Sequence, residues 1–198
     1  MKQLVHTLII VVLLASLVFA QGKIVNDKLF SSSLGREITM EIYLPEGYDN
    51  TTEPSRLLIY LHSGGAAWFG LPLATTYKPV LDEAIKSGKI DPIVVVYPRV
   101  AFNTAYGVYI QNNWHQWVDS ERNGMYESVV KDDLVEYMRT IYNAGKRREE
   151  CAIGGFMMGG EAATRIAIRH SDKFIAGFSH VINQAIISLN FSSFFHIL

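Results

Sequence analysis

The sequence predicts an α/β fold in which a mostly parallel sheet is covered by helices on both faces. Three observations carry this expectation. Short apolar runs without alternation, Leu57-Leu58-Ile59-Tyr60-Leu61, Ile93-Val94-Val95-Val96 and Ala152-Ile153-Gly154-Gly155, suit strands buried on both faces. Helical patterns separate them, with apolar residues spaced by threes and fours. An alternating pair of segments precedes them all, as a hairpin at a sheet edge would.

Taken in order, residues 23–31 and 36–44 flank Leu34-Gly35, and Ile38, Met40, Ile42 and Leu44 alternate with Thr39, Glu41 and Tyr43. That period of two reads as a half-buried antiparallel hairpin. Residues 45–54, rich in Gly, Asn, Asp and Thr, form a loop. A buried strand over 56–62, a helix over 77–87 and a second buried strand over 92–97 follow. Residues 101–124 are a long connection holding Trp114, His115, Trp117 and Asp119, and a loop of this length inside a domain tends to be functional. A helix over 125–142 presents Val129, Val130, Leu134, Tyr137, Met138 and Ile141 as one stripe. A third buried strand over 150–156, a helix over 159–170 and a short strand over 173–179 complete the pattern. Alternation of strand and helix after a hairpin is what makes the sheet mostly parallel.

Composition narrows the function classes. The chain has 198 residues, of which 49% are hydrophobic and 19% charged, so it buries a core and is not disordered. A formal net charge of −1 gives no electrostatic case for nucleic acid. Residues 1–20 carry Lys2, an apolar run from Leu8 to Leu17, and Val18-Phe19-Ala20 with small residues at −3 and −1. This is a signal-peptide pattern, with cleavage expected before Gln21 and secretion as its consequence. An uncleaved anchor is the rival, since 4–20 is near the lower limit for spanning a bilayer. After cleavage no membrane span is expected. Cys151, the single cysteine, opens an apolar strand and reads as a small buried hydrophobe. Asn50-Thr51-Thr52 and Asn190-Phe191-Ser192 fit the N-glycosylation sequon, making Asn50 and Asn190 the candidates. The histidines are scattered without metal-ligand spacing, no phosphate loop follows a strand, and neither metal nor cofactor is expected.

Residues 152–160 read Ala-Ile-Gly-Gly-Phe-Met-Met-Gly-Gly. The stretch has the form of a strand-to-helix elbow, G-x-S-x-G, in which a serine is held exposed at a sharp turn. Gly155 and Gly159 stand at the flanking positions and Gly160 with Ala162-Ala163 opens a helix. Met157 occupies the central position. A thioether has no proton to give a base and forms no acyl intermediate.

Around this turn the chain resembles the esterase D-like and feruloyl esterase-like branch of the α/β-hydrolases, a group that includes acetylxylan esterases and mycobacterial mycolyltransferases. The resemblance rests on Tyr43-Leu44-Pro45-Glu46-Gly47-Tyr48, Leu58-Ile59-Tyr60-Leu61-His62, Val94-Val95-Val96-Tyr97-Pro98, residues 114–120, Met125-Tyr126-Glu127, residues 153–160 and Arg169-His170-Ser171-Asp172-Lys173-Phe174. These occur in family order from about residue 23 to 179. It implies a three-layer α/β-hydrolase-type sandwich, a Ser-Asp/Glu-His hydrolase, and carboxylic esters as substrates.

Carried over by position, the nucleophile falls on Met157. The oxyanion donors fall on the backbone N–H of Met158 and on the loop after His62, where Ser63 stands in place of the family's usual glycine, followed by Gly64. Trp114 and Trp117 fall at the rim of the cleft, unless they serve only to pin a long loop. The acid and base of this branch lie well beyond the elbow, and the residues after Met157 do not match that part. His170, His180 and His196 are poor candidates for the missing base. Residues 181–198 contain no charged side chain and do not track the family. The sequence thus reads as a signal peptide (1–20), a partial domain (21–180) incomplete at its C-terminal side, and an uncharged tail (181–198).

The expected function is that of a secreted esterase-family homologue without catalytic residues. Two alternatives stand beside it: a serine carboxylesterase in a fuller form of the protein, and a module that binds an ester-bearing small molecule or glycan in the remnant cleft. Without later strands, the last strand is expected to be an edge that invites self-association.

Overall fold

The computed structural model describes residues 21–63, 73–100, 116–122 and 124–180. The expected leader and the uncharged tail lie outside these residues, as do Gly64, Trp114 and Asn190. Six strands form one sheet in the order β1-β2-β4-β3-β7-β8. They are β1 (Lys23–Ser31), β2 (Arg36–Leu44), β3 (Arg56–Leu61), β4 (Ile93–Arg99), β7 (Cys151–Phe156) and β8 (Ala176–His180). β1 and β2 form the antiparallel hairpin, with Leu29 opposite Ile38, and β2 also runs antiparallel to β4. The pairings β3–β4, β3–β7 and β7–β8 are parallel.

Two apolar layers sit on the faces of this sheet. On one, α1 (Leu73–Lys86) covers Tyr43, Leu58, Tyr60, Val95 and Tyr97. On the other lie α2 (Tyr126–Ser128), a π-helical turn (Val129–Leu134), α3 (Val135–Ile141) and α4 (Met158–Arg169), packed over Ile42, Leu57, Ile59, Leu61, Val96 and Ile153. The three buried runs have side chains in both layers, which is why they show no alternation.

Three local readings are corrected. The first helix begins at Leu73 rather than 77 and runs through Pro79. A proline lacks an N–H and crowds the residue before it, so the sequence argued for a start near it. The expected single helix over 125–142 contains a π turn. Its wider winding shifts the phase downstream, so that Val135 and Met138 are buried while Ile141 is 48% exposed. Inside the long connection, β5 (Asp119–Ser120) pairs with β6 (Gly124–Met125), a two-residue ladder too short to give a periodicity.

Two carboxylates on this framework are paired. The Asp27 carboxylate at β1 accepts hydrogen bonds from Tyr137 and Tyr142, each at 2.7 Å. Partial burial pushes its pKa up, but the two phenol donors and the Lys28 N–H outweigh that and hold it below its usual value. Glu41 is buried on β2 and receives the Ala74 N–H at the start of α1 (3.0 Å) and the Arg99 guanidinium (2.6 Å). Cys151 is buried, and burial above all pushes its thiol up to about 12, so it behaves as the small hydrophobe its position suggests.

Ile59 is fully buried on the central strand β3. Ile59→Ala should cost about 2–5 kcal/mol of unfolding free energy, read as a lower urea midpoint with an unchanged slope.

Candidate active site

The turn between β7 and α4 is built by backbone contact. A Cβ on Gly159 would lie 2.2 Å from the Leu61 carbonyl oxygen and 2.6 Å from that of His62. A Cβ on Gly155 would lie 2.4 Å from the carbonyl carbon of Gly159, and one on Gly160 would lie 2.3 Å from Ser179 Oγ. Such distances are far inside contact, so only glycine lets the helix start press against the ends of β3 and β8.

Met157 stands at the apex with φ 49° and ψ −112°, a conformation that side-chain-bearing residues rarely adopt. Its backbone is tied on both sides. The Met157 N–H donates to the His180 carbonyl at 3.0 Å, and its own carbonyl accepts the Glu161 N–H at 2.9 Å. The residue is 50% exposed, at the carboxyl end of the parallel strand β7. This is the geometry expected of an elbow, with a thioether at its tip. Met158 is the first residue of α4, where a helix leaves its leading N–H groups without intrahelical partners. A backbone donor beside the apex therefore persists whatever side chain stands there.

Strand β3 delivers His62 and Ser63 to the same place. Both are buried, and the His62 Nδ1–H donates to the Ser63 carbonyl at 3.0 Å. Burial, aided by the Arg99 charge, pushes the His62 pKa down to about 4, so the ring is neutral near pH 7.

Trp117 is not at a rim. It is fully buried, its indole N–H donates to the His62 carbonyl at 3.2 Å, and its ring centroid lies 4.8 Å from that of His62. The turn that carries it places Gln116 at φ 47° and Trp117 at φ 56°, two successive left-handed residues. Arg165 on α4 holds that turn by donating to the carbonyls of Gln116 (2.9 Å) and Trp117 (3.2 Å). The alternative role, pinning the loop, is the one the packing supports: a large ring gains more from the layer beneath than from solvent. Asp119 likewise caps α2, accepting the Ser128 N–H (2.9 Å) and hydroxyl (2.7 Å).

Sequence reasoning did not find the buried carboxylate Glu127. It receives His170 Nε2 at 2.9 Å and Arg169 at 3.3 Å, with Arg165 Nε at 3.8 Å. The cluster ties α2 to α4, and its members are too far apart in sequence for any spacing rule to reveal. It also fixes His170 at the C-terminal end of α4, a helix length from Met157. His180 is near the apex through its carbonyl, but its ring packs on Phe156 (5.5 Å between centroids), with Nδ1 3.3 Å from the Tyr60 hydroxyl. The rings of both candidate bases are thus engaged with other partners, and His196 lies outside the described residues.

Two outcomes test this arrangement. Gly159→Ala should destabilise the fold by about 1–3 kcal/mol, read in urea unfolding, because a backbone carbonyl must move to admit the methyl. The second concerns pH. Folding lowers the His62 pKa from an ordinary value of 6.5 to about 4, so the unfolded chain takes the proton first. The stabilisation by neutral His62 is complete above about pH 6.5 and declines as pH falls towards about 4. Replacing it in His62→Gln should flatten the stability profile in that window, whereas an unchanged slope would show that His62 does not titrate there.

With this geometry in place, comparison with known proteins is informative. Residues 31–188 match the family described as "Putative esterase". Among solved structures, a ferulic acid esterase is 28% identical, with a TM-score of 0.65 over 79% of this chain and 56% of its own. A ferulic acid esterase from the anaerobic fungus Anaeromyces mucronatus is 19% identical, with a TM-score of 0.63 over 80% of this chain and 58% of its own. An S-formylglutathione hydrolase from Agrobacterium tumefaciens is 20% identical, with a TM-score of 0.55 over 82% of this chain and 58% of its own. The chain therefore spans less than two thirds of the length of these structures. Fold, elbow and family match agree: this chain belongs to the esterase family of the α/β-hydrolases.

Proposed function

We propose that this chain is a secreted esterase-family protein that does not itself hydrolyse esters. The observation that carries the reading is Met157, held half-exposed in the strained apex conformation. The backbone device is intact, and the group it presents has no nucleophilic hydroxyl. Among the described residues, the two histidines that follow the apex are turned to Glu127 and to Tyr60. The Met158 N–H, with Ser63 at the end of β3, would remain as the remnant of an oxyanion hole.

What such a site retains is the capacity to receive an ester-bearing small molecule or glycan without cleaving it. Secretion is supported by the leader pattern of residues 1–20. Among the described residues no helix is long and apolar enough to cross a membrane. Asn50 is exposed in its turn, although its Nδ2 donates to the Ile141 carbonyl at 3.3 Å, so glycan attachment would precede or displace that contact.

A second reading is that a fuller form of the protein is a working carboxylesterase. The share of the solved structures that this chain spans, 56% for the ferulic acid esterase at 28% identity, favours it.

Loss of a catalytic serine alone costs about 10⁶-fold in kcat, worth roughly 8 kcal/mol of barrier. The mature chain is accordingly expected to release no detectable nitrophenol from short-chain aryl esters. Met157→Ser is expected to be equally inactive, since among the described residues the histidine rings that follow the apex are bonded to Glu127 and Tyr60. Turnover by the wild-type chain would refute the inactive reading, and rescue by the single substitution would show that a histidine reaches the apex. N-terminal sequencing of the exported chain should begin at Gln21, whereas a membrane-held chain retaining Met1 would replace secretion with anchoring.

A further inference from the structure

Far in sequence from the elbow, the segment that follows the leader is seated on α1. Gly22 lies flat against β2: a Cβ there would fall 2.4 Å from the Tyr43 ring. Its N–H donates to Asp82 Oδ1 at 3.0 Å, and the Tyr43 hydroxyl donates to the same oxygen at 2.8 Å. Asp82 Oδ2 holds the Lys78 ammonium at 2.5 Å, and Lys78 Nζ also donates to the side-chain amide oxygen of Gln21 at 3.1 Å. Burial pushes Asp82 up, but Lys78, Tyr43 and the Gly22 N–H together hold its carboxyl below its usual value, so it stays ionised as the base of the seat. Gln21 itself is exposed, at the edge of a groove that Glu46, Lys78, Asp82 and Lys86 also line.

We propose that Gln21, made N-terminal by removal of residues 1–20, cyclises on this seat to pyroglutamate. The inference rests on the leader reading above. The free α-amine of Gln21 attacks its own side-chain carbonyl carbon Cδ. A bond forms between the α-nitrogen and Cδ, the bond from Cδ to Nε2 breaks, and Nε2 leaves as ammonia carrying a proton from the α-amine. Nothing is oxidised or reduced, and no co-reactant is needed.

The seat favours this step in two ways. Negative charge develops on Oε1 as Cδ becomes tetrahedral, and the Lys78 ammonium already points at that oxygen. The Gly22 N–H bond to Asp82 fixes the chain beside α1, so that the Gln21 amide stays within reach of the Lys78 ammonium.

The test has two arms. The chain recovered from the medium of secreting cells is examined by mass spectrometry of its N-terminal peptide. A start at residue 21, lighter by one ammonia and refractory to stepwise degradation, is expected. A start elsewhere would reject the leader reading, while a start at residue 21 with intact glutamine would reject cyclisation alone. In the second arm, a chain whose removable extension leaves Gln21 first is incubated in buffer beside a peptide of residues 21–30. Ring closure should be about tenfold faster in the folded chain. Lys78→Met should fall to the peptide's rate and Lys78→Arg should keep most of the advantage, with thermal melting showing that both variants are folded. Equal rates for folded chain and peptide would overturn the role of the seat.

Discussion

The close approach of α4 to the ends of β3 and β8 is the constraint on which the remaining architecture rests. Gly155, Gly159 and Gly160 supply it by having no side chain where an added Cβ would stand 2.2 to 2.4 Å from a backbone carbonyl or from Ser179 Oγ. Because the helix starts so near the sheet, the residue before it is forced to φ 49°. Because it then runs across the sheet at short range, its inner face is built of Ala162, Ala163, Ile166 and Ala167, small enough to fit. Arg165 and Arg169 leave the same helix towards Glu127, and Arg165 clamps the turn that buries Trp117. One packing distance thus governs the apex, the helix composition and the loop on the far side.

The chemistry of the apex is separable from this framework. The strain at Met157 is held by hydrogen bonds of its own backbone and by glycines on either side, none of which involves the side chain. A hydroxyl and a thioether are presented equally well. A methionine at the apex therefore need not disturb the fold, and a family match extending over residues 31–188 coexists with an apex that carries no hydroxyl.

Much of this was legible in the sequence because it depends on local patterns. The buried strands were visible as apolar runs, the hairpin as alternation, and the elbow as two glycines four residues apart. The features that escaped depend on partners distant along the chain. Position alone leaves Trp117 open as a cleft rim or a loop anchor, and its contact with His62, 55 residues away, supports the anchor. Glu127 and Asp27 are ordinary acidic residues until Arg165, His170 and two tyrosines converge on them. The π turn has no spacing signature, since one extra residue per turn looks like noise in a stripe of threes and fours.

β8 is one of the two edge strands of the described sheet, and three of its attachments run to the elbow and the strand end that leads into it. Its His180 carbonyl holds the Met157 N–H, Ser179 abuts Gly160, and the Phe178 ring fills the space above Gly154. Local opening of a protein starts where cooperative contacts are fewest, commonly at the margins of a sheet. Fraying of β8 would therefore release the apex at the same moment, removing the bond that keeps Met157 in its unfavoured conformation. The rigidity of the elbow is then set by the opening free energy of its neighbouring strand, and whatever seals that side of the sheet also determines how long the site keeps its shape.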